Sequence, residues 1–363
     1  MAWSANSSAR PKEISMRAFY HPDQAIHSPQ QFMRYGRFVP IKDSPVRTER
    51  LLGALARHGI QPEMPAEHGT APALTVHTAA YVRFLETAWE NWAKLPDHGP
   101  EVWPQYFPYW SGRVEETARP DCPSTGFIGQ VGWYLGDLSV PMGPDSWRSI
   151  LRSSETAVTA ADAILAGDRS AYALCRPSGH HARADRGTGF CYLNNSAIAA
   201  QRLRSRFGKV AIIDVDIHHG DGTQQIFYTR PDVLTISIHG DPIDFVPFYT
   251  GFANETGYGA GEGCNLNLPL AAGAGGAEMN GALDKAIEAV RAFGADALVV
   301  ALGFDAHRDD PIGIFKLEAK DFGSVGSKMQ SLDLPTLVVQ EGGYGIDAIQ
   351  DCLDSFLTGF GQA

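Results

Sequence analysis

The run Lys209-Val-Ala-Ile-Ile-Asp-Val-Asp-Ile-His-His-Gly-Asp-Gly-Thr223 limits what this chain can fold into more than any other stretch of it. It opens on four apolar residues, Val210 to Ile213, too few for a helix and mostly β-branched. A short apolar run flanked by charge reads as a strand buried on both faces, which belongs inside a parallel sheet. Asp214, Asp216, His218, His219 and Asp221 then follow within eight residues. In an extended chain a spacing of two puts Asp214, Asp216 and His218 on one face. Burying that much charge without a cation is costly, so the pattern predicts a metal site where the strand gives way to Gly220-Asp221-Gly222.

The sequence from Ser153 onward alternates in period. Helices are expected over 156–165, 195–206, 277–293 and 320–329, and strands over 171–175, 210–213, 232–238, 297–302 and 336–340. Strand and helix in turn predict an α/β fold, a parallel sheet with helices on both faces. Upstream, 17–20 reads as a strand and 45–58 and 79–92 as amphipathic helices. Between about 95 and 147 the periodicity fails: eight prolines and Trp103, Tyr106, Phe107, Tyr109, Trp110, Trp133 and Trp147 fall there. A long loop of this kind is expected to cover a pocket or another subunit. No repeat or linker divides the rest, so 15–363 reads as one domain and 1–14 as a disordered lead-in.

Composition narrows the function. A formal net charge of -11 argues against a nucleic-acid ligand. No apolar run reaches 18 residues, so no membrane span is expected. The first residues lack the apolar segment of a secretory leader. The five cysteines are scattered and form no CxxC pair, which fits a reducing cytoplasm rather than a disulfide framework.

Each expected strand runs into a polar turn: Arg176-Pro-Ser-Gly-His-His181, the Asp214–Asp221 segment, His239-Gly-Asp241, Gly303-Phe-Asp-Ala-His307 and Glu341-Gly-Gly-Tyr344. Six of the twelve histidines lie in these turns, where open α/β folds bind ligands. Asp216, His218 and Asp305 could supply three ligands to a zinc-like ion and leave a fourth position for water. His180 and His181 offer a general base and a general acid. Tyr344, on a Gly-Gly turn, could donate to a developing oxyanion.

Those segments, together with Gly189-Phe-Cys-Tyr-Leu-Asn-Asn195, resemble the zinc-dependent histone deacetylase superfamily. Val76-His77 through Trp92, Ile226-Phe-Tyr228, His239-Gly-Asp-Pro242 and Phe315-Lys-Leu317 narrow the resemblance to bacterial acetylpolyamine amidohydrolases. It runs from about Arg17 to Phe360 and implies the arginase/deacetylase fold. It further implies one Zn2+ per chain on Asp216, His218 and Asp305, with His181 as general base and acid beside His180. Asp214 and Asp221 would orient the two histidines, and Tyr344 would polarise the carbonyl. A structural K+ or Na+ would sit at Asp214, Asp216, His218, Ser237 and Ile238, and a second near Phe227, Arg230 and Val233. Gly189, Phe190 and Tyr249 match walls of a substrate tunnel. His307 stands where the related arginases carry an Asp ligand for a second metal, which favours one ion.

The chain departs from the subfamily where acidic residues flank the tunnel, at Ile128 and Ser139; Asp137, Glu115 and Glu116 lie nearby. The expected activity is therefore hydrolysis of a small secondary amide, an N-acetylpolyamine or another acylated amine. Neutral or xenobiotic N-alkyl amides and protein lysine deacetylation are the alternatives, and a silent acyl-amine binder the non-enzymatic one. A homodimer or higher homo-oligomer is implied, its contact made by the aromatic loop.

Overall fold

A computed structural model describes residues 16–108 and 119–361. The expected disordered lead-in, and Tyr109, Trp110, Glu115 and Glu116 of the aromatic loop, lie outside them. Nine strands are described: β1 (Arg17–Phe19), β2 (Gln31–Arg34), β3 (Arg37–Pro40), β4 (Ser170–Ala173), β5 (Val210–Asp214), β6 (Val233–Gly240), β7 (Asn265–Leu270), β8 (Ala297–Leu302) and β9 (Thr336–Gln340). The α-helices are α1 (Val46–Arg57), α2 (Ala79–Trp92), α3 (Phe127–Tyr134), α4 (Ser146–Ala166), α5 (Asn195–Leu203), α6 (Asp221–Phe227), α7 (Gly276–Phe293), α8 (Ala319–Gln330) and α9 (Ile349–Gly359).

Seven strands form one sheet in the order β1-β4-β9-β8-β5-β6-β7, every neighbouring pair parallel. The apolar runs explain the position of the central strands: β4, β5, β8 and β9 are buried along their whole length. One apolar layer packs one face of the sheet against α1, α7, α8 and α9. A second fills the other face beneath α4 and α5. The chain passes from β4 to β5 and later inserts β9 and β8 between them, so the carboxyl ends of four adjacent strands converge. That crevice is where ligands bind in such sheets.

The elements differ from the sequence reading in several places. The stretch 95–147 is not structureless: it contains α3 and the start of α4. α4 begins at Ser146 rather than near Thr156, because its serines are buried and bonded outward, Ser149 to the Asp23 carbonyl and Ser153 to that of Pro177. The hairpin β2–β3 was not expected; Tyr35-Gly36 turns it with φ of 49° and 76°, a left-handed pair seldom built on tyrosine. The short α6, the strand β7 and the C-terminal α9 were also unanticipated.

Candidate active site

β5 ends at Asp214, and the next residues bend instead of continuing extended as the spacing suggested. Their amides turn onto carboxylates. Asp216 N–H donates to Asp214 Oδ1 (3.0 Å), Ile217 N–H to Asp305 Oδ1 (2.9 Å) and His218 N–H to Asp216 Oδ1 (2.9 Å). This bend brings Asp216 and His218 to Asp305, which follows β8. Ligand atoms of the three lie within 4.8 Å of one another. His218 Nδ1 is 3.1 Å from both Asp216 Oδ1 and Asp305 Oδ2. Gly342 N–H closes the group on Asp216 Oδ2 at 2.8 Å, and a Cβ at Gly342 would stand 2.5 Å from both carboxylates.

The charge balance of this group calls for a cation. Burial pushes Asp305 up to about 7, helped by the Asp216 charge. His218 is driven the other way: burial would lower its pKa, but hydrogen bonds to Asp216 and Asp305 raise it to about 10. His218 Nδ1 and the two carboxylates thus gather their ligand atoms around one point, where a cation would balance the acidic charge. One imidazole and two carboxylates are a fitting donor set for zinc with an open position. His307 is buried nearby, its ring nitrogen accepting the Asp309 N–H at 3.2 Å.

The tandem histidines follow β4. His180 Nδ1 meets Asp214 Oδ2 at 2.9 Å and His181 Nδ1 meets Asp221 Oδ1 at 2.7 Å. Asp221 Oδ2 also accepts from Arg183 at 2.7 Å. The two environments separate the imidazoles. Burial opposes charge on His180, yet Asp214 and Asp216 hold its pKa well above the ordinary value. Burial and then the His180 charge bring His181 down to about 4, so it is neutral at pH 7. With Nδ1–H directed at Asp221, its Nε2 keeps the lone pair.

Tyr344 lies past β9. Burial raises its pKa well above 10, so the phenol keeps its proton. Its N–H and that of Gly345 donate to Asp310 Oδ2, at 2.6 and 3.0 Å. The buried guanidinium of Arg47 lies 4.8 Å from the centre of its ring and donates to the carbonyls of Gly343 (2.5 Å) and Glu341 (2.7 Å). Asp43 pairs with Arg47 and Arg176 below this turn. Glu341 Oε2 accepts the Gly179 and His180 amides, tying the tyrosine turn to the histidine turn. Neither Asp43 nor Arg47 was singled out in the sequence, and Arg176 only as the head of the histidine segment.

Phe190 forms one wall. Its ring meets Tyr344 (5.7 Å) and Phe32 of β2 (5.1 Å), edge to face. Gly189 lies so close to His181 that a Cβ would stand 2.4 Å from the imidazole, and its φ is 55°. Asp137 accepts the Gly189 and Ser139 amides, and the Ser139 carbonyl accepts from Phe190 N–H. Burial pushes the Asp137 carboxyl up to about 6. Ile128, by contrast, packs into the layer between α2 and α3 and not against Phe190. Tyr249 is 91 % exposed, with its ring near Phe248; the ring stacked on His218, at 4.9 Å, is Phe245. Ser237 stands opposite Asp214 in the β5–β6 register, with Ile238 buried beside it. Phe227 and Val233 are buried, and the Phe227 carbonyl accepts from Arg230 N–H.

Residues 42–360 match the model of the histone deacetylase domain family. The chain is 43% identical over 347 residues to an acetylpolyamine amidohydrolase of Burkholderia pseudomallei (strain 1710b), covering 95% of this chain and 99% of that one. It is 41% identical over 336 residues to another of the same name from Mycoplana ramosa, covering 92% and 96%. A crystal structure of acetylpolyamine aminohydrolase from Burkholderia pseudomallei superposes with a TM-score of 0.91 at 43% identity, over 96% of this chain and 99% of that one. The HDA15 HD domain superposes with 0.76 at 25% identity, over 94% and 88%. With its parallel sheet and the convergence of carboxylates, imidazoles and tyrosine at the carboxyl ends of β4, β5, β8 and β9, the chain belongs to the histone deacetylase family and has the arginase/deacetylase fold.

Proposed function

We propose that this chain is a metal-dependent amidohydrolase that deacylates a small secondary amide, with N-acetylated polyamines and related acylated amines as its substrate class. The observation that carries this reading is the geometry: His180 and His181, each bonded through Nδ1 to its own carboxylate, stand beside the Asp216–His218–Asp305 ligand group. Asp216, His218 and Asp305 would hold one zinc ion, which when bound polarises the acyl oxygen and acidifies a water. His181 would take a proton from the attacking water as the water oxygen bonds to the acyl carbon, and Asp221 would steady the imidazolium so formed. His180, fixed by Asp214, stands beside it. The Tyr344 phenol donates to the oxygen as it gains charge. His181 would then return the proton to the amine nitrogen, the C–N bond would break, and a carboxylic acid and an amine would leave, separating at neutral pH as carboxylate and ammonium.

Residues 15–363 act in this reading as one catalytic domain in the cytoplasm, as a homodimer or higher oligomer. Exposed Tyr106 (82 %) and Phe107 on the aromatic loop support that association, which sedimentation equilibrium would measure. Asp214, Ser237 and Ile238 would hold a structural K+ or Na+, with Asp216 and His218 beside them.

Neutral amides are a second reading, favoured by the uncharged Ser139 beside Phe190. Asp137 gives them little opposition, since two backbone amides already engage it. Turnover of acetylputrescine, acetylspermidine, an acetyl-lysine peptide and an uncharged N-alkyl acetamide tests both. Hydrolysis of the small amides with little preference for acetylspermidine over the uncharged one is expected. A strong, salt-sensitive preference for acetylspermidine would sink the neutral reading, and no turnover of any of them would sink the enzyme.

A further inference from the structure

The loop that follows β6 carries one ring to the metal-ligand turn, Phe245 on His218, and leaves Ile243 (71 %), Val246, Phe248 and Tyr249 in solvent. Phe248 has a φ of 64°, a conformation a phenylalanine keeps only when its surroundings impose it. A polar knot lies just beyond. One oxygen of Glu255, Oε2, accepts from Gln224 Nε2 (2.6 Å), Thr250 Oγ1 (2.9 Å) and Gly251 N–H (2.9 Å).

Gln224 is buried on α6, three residues after the Asp221 that holds His181. Its Oε1 accepts from His219 Nε2 (3.0 Å), Asn265 Nδ2 (2.9 Å) and Asn267 Nδ2 (2.8 Å). Gly251 completes the knot: its carbonyl faces His239 Nε2 at 2.9 Å, and a Cβ there would lie 2.9 Å from the His219 ring. One carboxylate therefore ties the exposed loop to the turn of His218 and His219 and to the helix beneath His181. Carboxylate hydrogen bonds are the stronger kind, and four on one oxygen, with Asn267 Nδ2 the most distant at 3.4 Å, leave that oxygen little freedom.

We propose that Glu255 is a specificity-determining positioning residue: through Gln224 it fixes the 243–251 wall against the metal-ligand turn and so limits the length and bulk of the amine accepted. This rests on the amidohydrolase reading. A loop held by local backbone bonds alone would let the wall move outward and admit larger amines. The chemistry, set by His180, His181 and Tyr344, would be left nearly as it is.

The test compares wild type, Glu255→Ala and Glu255→Gln on acetylputrescine and on an acetyl-lysine peptide, alongside hydrogen exchange over 243–251. Glu255→Ala should raise KM for acetylputrescine about 10-fold with kcat changed much less. It should narrow the preference for acetylputrescine over the peptide and speed exchange in the loop but not in β5 or β8. Glu255→Gln keeps an oxygen for the same donors and should restore most of both. Wild-type KM and wild-type exchange in Glu255→Ala would overturn the proposal, as would an equal loss of kcat on both substrates. Should Glu255→Ala fail to fold, Thr250→Ala cuts one tie and should move KM and exchange in the same direction; no movement in either would overturn it. Absence of turnover in wild type would instead defeat the amidohydrolase reading, and the exchange data would still decide whether Glu255 positions the loop.

Discussion

In the proposed mechanism, Tyr344 is the residue on which transition-state stabilisation by the protein turns. Its phenol stays protonated because burial keeps the pKa above 10, and the Arg47 guanidinium beside the ring and the Asp310 carboxylate on its backbone fix its direction. A donor aimed at an oxygen that gains charge acts on the transition state more than on the bound substrate. Tyr344→Phe should therefore lower kcat roughly 100- to 1,000-fold, with KM and metal content close to wild type. Steady-state kinetics and metal analysis of the purified variant check this, and wild-type kcat would remove the tyrosine from the chemistry. The sequence pointed to Tyr344 through its Gly-Gly turn and the polar strand ends. It gave no hint of Arg47, which in a linear reading is one more cation on an amphipathic helix. Only the fold sets Arg47 under Gly343, with Asp43 neutralising it.

At the scale of elements, helix α5 and the histidine turn are joined through a buried imidazole. His77, just before α2, faces the Arg183 carbonyl with Nδ1 and accepts Asn194 N–H on Nε2, both at 2.9 Å. Asn194 caps α5 and donates to the Ala182 carbonyl next to His181. His77 must stay neutral, since a proton on Nε2 would meet the Asn194 N–H; burial lowers its pKa to about 4. The unfolded value of about 6.5 is higher, so the unfolded chain binds more protons between the two. The stability His77 contributes is whole above pH 6.5 and is lost as pH falls towards 4, about 3 kcal/mol at most. His77→Gln keeps an acceptor near Asn194 N–H and cannot titrate. Its stability relative to wild type, measured by urea unfolding, should therefore rise from pH 7 to pH 4; a constant difference would contradict the assignment. Elements were legible where period and burial agree, as in β5, β8 and α2. They were hidden where buried side chains are polar, as in the serines of α4, or where the turn is unusual, as at Tyr35-Gly36.

The whole molecule places its chemistry where one sheet gathers four strand ends, and this explains how much of the site could be read in advance. Asp216, His218, Asp305, His180, His181 and Tyr344 each close a strand whose apolar run is unmistakable, so their meeting follows from the topology. The wall is less legible because it comes from loops and a hairpin: Phe32 and Phe245 face the site, whereas Tyr249 points into solvent and Ile128 into the α2–α3 layer. Central to the account is a single divalent ion on Asp216, His218 and Asp305. The most direct measurement strips the protein with a chelator and titrates Zn2+ back while following hydrolysis of an N-acetylated amine, for wild type and for Asp305→Ala. Wild-type activity should return and level off at one equivalent per chain, and Asp305→Ala should neither retain zinc nor turn over. Full activity in the stripped wild type, or a zinc-loaded and active Asp305→Ala, would contradict the single-ion site.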